Sequence, residues 1–96
     1  MENTQTKLRW EKESLKKFNT MIERIPLFHR EIAKKVVYKR AEINAHERGS
    51  NLVEEGDIVQ AFFSEVPMAF YSLMIRLLDE VGFDYKQYAA NNAANK

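Results

Sequence analysis

The chain of 96 residues has no cysteine, only three glycines and two prolines, one tryptophan and two histidines. Without cysteine there are no disulfide staples, thiolate zinc sites, Cys-ligated iron–sulfur clusters or Cys nucleophiles. So few glycines and prolines argue against a many-turned all-β fold. The longest apolar stretch, Val66 to Leu78, is 13 residues and contains Arg76, short of the roughly 18 to 20 residues of a membrane span. No glycine-rich phosphate loop is present, since Gly49, Gly56 and Gly82 stand alone. The opening Met1 to Trp10 is polar and charged rather than an apolar signal core, so a cytoplasmic location without membrane contact is expected.

Apolar residues make up 45% of the chain and charged residues 30%, the balance of one small globular domain. The net charge is +1, but it is unevenly laid out. Residues 1–48 hold 12 Lys/Arg against 7 Asp/Glu, and residues 49–96 hold 3 against 7. Such asymmetry suits either an acidic partner for the first half or attraction between the two halves.

Periodicity predicts an all-α, compact bundle of four to five helices over residues 10–88, with a loose N-terminus at 1–9 and a disordered Ala/Asn tail at 89–96. A first helix is expected from about Glu11 to Arg24, with Leu15, Phe18, Ile22 and Ile25 on one stripe. Pro26 stops it and opens a longer second helix ending near Gly49. On that helix Ile32, Ala33, Val36, Val37 and Ile43 fall within one apolar arc, and Arg30, Lys34, Lys35, Tyr38, Lys39 and His46 lie opposite. Arg40 projects from the middle of the apolar arc. It calls for an acid such as Asp57 or Glu47, or for an anionic or partner contact. After a connection at 51–56, a third helix is expected from about Asp57 to Val66. A fourth, Met68 to Val81, follows Pro67 and stops at Gly82. Residues Phe83 to Tyr88 are expected to add a turn that folds back on its aromatics.

The catalytic inventory is thin. His29 and His46 lie 17 positions apart on one helix, about 25 Å by helix rise, so one chain cannot use both on one metal. Glu42 and His46 sit one turn apart, the spacing of a two-ligand metal site or, far more commonly, of an exposed surface pair. None of the serines Ser14, Ser50, Ser64 and Ser72 has a histidine at a spacing that suggests a nucleophile, and Asp79, Glu80 and Asp84 form an acidic cluster near a helix end. No active site, cofactor or metal is therefore expected. The aromatics are more informative. Phe62, Phe63, Phe70, Tyr71 and Met74 give the second half more bulky apolar surface than four short helices easily hide, and mark a docking face. Its partner would be another protein or a copy of the same chain.

The order Trp10, Leu15, Arg24-Ile25-Pro26-Leu27-Phe28-His29-Arg30, Glu42, Ala45, Glu47-Arg48-Gly49, Val53, Val59 and Ala61 resembles the PCP-reductase-like domain. That domain is the small C-terminal part of the light-independent protochlorophyllide reductase B subunit. The likeness covers about residues 10–62. It implies an accessory module working through protein contact and, less directly, a tetrapyrrole or metal carrier with His29 or His46 as ligand. The segment Ile32 to Phe62, a long helix, a Gly-containing loop and Val53-Glu54-Glu55-Gly56-Asp57-Ile58-Val59-Gln60-Ala61-Phe62, is similar to the second half of a histone fold. That likeness implies a DNA-binding alternative using Arg30, Lys34, Lys35 and Lys39, with Ser50-Asn51-Leu52, followed by Glu54-Glu55, where histone loops present basic and hydroxyl groups to phosphates.

Overall fold

The computed structural model describes residues 8–88 and is an all-α bundle. A two-residue strand β1 (Arg9–Trp10) leads into α1 (Lys12–Arg24) and α2 (Leu27–Glu47). Then come β2 (Leu52–Val53), α3 (Glu55–Glu65), a 3-10 turn at Met68–Phe70 and α4 (Tyr71–Val81). One further helical turn occupies 85–88.

Each boundary has a local cause. The Glu11 carboxylate caps α1, accepting from the Ser14 N–H at 2.8 Å and the Ser14 hydroxyl at 2.6 Å. Those bonds, the hydroxyl's foremost, hold its pKa below the usual carboxylate value. Ile25 is extended (φ −77°, ψ 140°) ahead of Pro26, as the ring of a following proline requires. For α3, the Asp57 side chain reaches back to the Glu54 N–H at 2.9 Å, so this helix begins two residues earlier than its apolar pattern indicates. Pro67 separates α3 from α4, whose entry is 3-10 rather than α-helical. Gly82 ends α4 in the left-handed region at φ 105°, where a side chain would be strained.

The strands correct two expectations. Arg9 is not loose, and the 51–56 connection is not irregular throughout. The segments pair in parallel, Arg9 with Leu52 and Trp10 with Val53, and Glu11 donates to the Val53 carbonyl at 2.8 Å. Leu8, also expected to be loose, packs against the core, while the rest of that segment, 1–7, and the Ala/Asn tail at 89–96 lie outside the described residues.

The core centres on Phe18 and Met21 of α1, Val37 of α2, Ile58, Val59 and Phe62 of α3, and Leu78 of α4. Phe83 tucks in behind Gly82. Tyr88 lies so close to Gly56 that a Cβ there would meet its ring at 2.9 Å. The aromatic end of the chain thus folds back onto α3.

A third correction concerns α2. Its buried residues are Val37, which lies at the edge of the expected arc, and Ala41 and Ala45, which lie outside it, a face turned by roughly 100°, one residue step, from the row of Ile32 and Val36. The α2–α3 contact is the most extensive in the molecule, and alanine lets the two backbones approach where isoleucine would hold them apart. Tyr38 and Glu42, on the far side of this face, meet Trp10. The Trp10 and Tyr38 rings stack at 4.4 Å, and the indole N–H donates to Glu42 at 3.1 Å.

Candidate functional site

The turn of α2 leaves Ile32 64% exposed and Phe28 96% exposed. These two side chains, with His29, Ala33 and Val36, form one wall of an apolar groove of about 540 Å³. The opposite wall comes from Val66, Pro67, Phe70 and Leu73. Its floor is core: Met21, Val37, Phe62, Met74 and Leu77. The groove exists because α2 packs chiefly on α3 while α4 packs chiefly on α1. Pro67 and the 3-10 turn carry the chain across between them, so the N-terminal half of α2 faces the Pro67–Leu73 segment across an open groove.

Two ionisable side chains line the groove, His29 and Glu65. Glu65 accepts from Arg40 Nε at 3.2 Å, so the partner of Arg40 is neither Asp57 nor Glu47. Asp57 is taken by Arg48, which forks onto both carboxylate oxygens at 2.8 and 2.7 Å. That bond raises the Arg48 pKa still further above its ordinary value. Nothing in the sequence pattern beyond the Glu47-Arg48-Gly49 stretch singled out Arg48. The signal for the pair was Asp57 itself, three residues after the Glu54 N-cap.

The five residues expected to form a docking face divide. Phe62, Phe70 and Met74 meet at the groove, with Phe62 and Met74 wholly in its buried floor. Phe63 and Tyr71 do not line it. Their rings pack edge to face at 5.3 Å, and the Tyr71 hydroxyl donates to the Phe63 carbonyl at 2.5 Å.

The expected basic face divides too. Arg30 is turned onto the end of α1, donating to the carbonyls of Glu23 at 2.9 Å and Ile25 at 3.1 Å. It closes a helix terminus rather than standing out as an anion contact. Lys34, Lys35 and Lys39 are exposed on α2.

His29 lies at the groove with its ring 6.2 Å from that of Phe70. His46 borders a polar hollow with Arg48, Gly49, Ser50 and Asn51. Glu42 is engaged by Trp10 rather than by His46, and Glu80 of the acidic cluster pairs with Arg24 at 3.3 Å. Among the described residues, no three His, Cys, Asp or Glu side chains converge as metal ligands, and no single helix is long and apolar enough to cross a membrane.

The groove therefore offers apolar burial, one imidazole edge and an ion pair beside it. That is the equipment for holding apolar side chains in a fixed orientation. Compared with models of known protein families, with curated proteins and with solved structures, the chain matches none of them.

Proposed function

We propose that this chain is a non-enzymatic helical interaction module whose working surface is the groove between the N-terminal half of α2 and the Pro67–Leu73 segment. The observation that carries this reading is the exposure of Phe28 and Ile32 beside a recess already floored by core side chains. A scattered exposed leucine needs no explanation, but a contiguous apolar face with a formed recess does. Covering Phe28 and Ile32 alone would contribute on the order of 5 kcal/mol before the costs of association. The resemblance of residues 10–62 to an accessory domain points the same way.

The test is photocrosslinking in the producing cell with a benzoylphenylalanine replacing Ile32. A discrete covalent adduct is expected from that position, and none from the same probe at exposed Lys12. A further Val36→Asp change, which spoils the groove wall, should abolish the adduct. Absence of any adduct at position 32, or one indifferent to Val36→Asp, overturns the reading.

A further inference from the structure

We infer that the protein surface received by this groove is a second copy of the same chain, related by a two-fold axis that crosses the outer face of α2. The inference rests on the interaction-module reading and names its partner.

Three observations favour a copy over a foreign segment. The first is shape. An isologous interface must carry projection and recess on one patch, because the patch meets itself. Phe28, 96% exposed, projects from one wall of the recess, and Met68, 78% exposed, lies in the Pro67–Leu73 segment that forms the other. A groove made only to receive a foreign helix has no use for such projections. The second is area. Phe28, Ile32, Val36, Met68 and Phe70 leave roughly 600 Å² of apolar surface per chain, which with a polar rim approaches the ~800 Å² per partner of a standard interface.

The third is charge order along α2. Glu31 is followed one turn later by Lys35 and two turns later by Lys39 on the same flank as Phe28 and Ile32. None of the ion pairs among the described residues involves these three. Antiparallel α2 helices crossing near position 34 bring Glu31 of each chain toward Lys35 and Lys39 of the other. The same crossing sets Ile32 on Val36 and lays Phe28 over the Arg40 guanidinium, a cation–π geometry. The chain's own outlying segments are poor substitutes. Residues 1–7 and 89–96 contain Met1 and alanines as their only apolar side chains.

The experiment is light scattering on the full chain across the micromolar to millimolar range. The expected mass is twice the 11.3 kDa of one chain. Ile32→Glu should return it to a single chain with unchanged helical circular dichroism, because Ile32 contributes little to the core. Glu31→Lys should weaken dimerisation roughly tenfold, since symmetry repeats each rim contact. Adding Lys35→Glu and Lys39→Glu to Glu31→Lys should restore it. A wild-type monomer at every concentration overturns the inference, as does a dimer that survives Ile32→Glu. If the monomeric protein still crosslinks to a different protein from position 32, only self-pairing fails. If it crosslinks to nothing, the groove reading fails with it.

Discussion

Replacing Arg48 by alanine tests whether the α2–β2–α3 corner is held by a buried charge pair. Asp57 is 4% exposed and accepts the fork from Arg48 together with the Glu54 N–H. Arg48→Ala leaves that carboxylate with one donor inside the protein. Breaking a fully buried pair costs 3–5 kcal/mol, whereas an exposed pair is worth less than about 1 kcal/mol. The Arg48 side chain is 45% exposed, so water can reach the vacated site, and the expected loss is about 2 kcal/mol. For a domain of this size that lowers the thermal midpoint by about 10 °C. Arg48→Lys keeps a charge but loses the planar fork, and should fall between wild type and alanine. Arg24→Ala is the comparison. Its pair with Glu80 has both side chains about half exposed, so the loss there should be under ~0.5 kcal/mol. Thermal and urea unfolding followed by far-ultraviolet circular dichroism measures all three variants. If Arg48→Ala melts no lower than Arg24→Ala, Asp57 is not held by Arg48 and the account of this corner fails.

The packing face of α2 makes a sharper test than hydrophobicity does. Ala41→Leu, which adds apolar volume at a fully buried contact, should destabilise by about 1–3 kcal/mol. Ile32→Ala, which removes a comparable apolar volume from a position 64% exposed, should cost under ~0.5 kcal/mol in the monomeric chain by urea unfolding. Burial, and secondarily Glu42, raises the Tyr38 hydroxyl above its ordinary value of 10.0, and burial does the same for Tyr88. A raised folded pKa means the folded state holds its proton longer. Its contribution is complete below pH about 10 and is lost as pH climbs through the folded value. Tyr38→Phe and Tyr88→Phe should each flatten the alkaline fall in the unfolding midpoint, read from Trp10 fluorescence. An unchanged alkaline limb would show that these hydroxyls do not titrate with the fold.

Elements bounded by strong local chemistry were legible in the sequence. Pro26, Pro67 and Gly82 sit at or beside helix ends, and the stripe of Phe18 and Ile22 in α1 is buried. The return of Phe83 and Tyr88 onto the core could be read from their aromatic density. The strand pair could not. Two residues have no period, and β1 meets β2 only because partners 43 positions apart are brought together by the corner between α2 and α3. The face of α2 was misread for a different reason. Ranking side chains by hydrophobicity puts Ile32 and Val36 inward, but a close helix pair selects for small residues, and Ala41 and Ala45 supply them. The consequence reaches the site. Ile32, Ala33 and Val36, expected in the core, form the groove wall. Phe62 and Met74, expected on a docking face, are its floor. Both misplacements have one cause, an α2 that carries more apolar faces than a four-helix core can cover. Arg40 marks the boundary of the surplus, since its pair with Glu65 sits where α2 passes from core contact to open groove. A cation in the middle of an apolar arc was therefore the sequence's clearest sign that the Ile32–Val36 side of the arc did not belong to the core, while Val37 at its edge did.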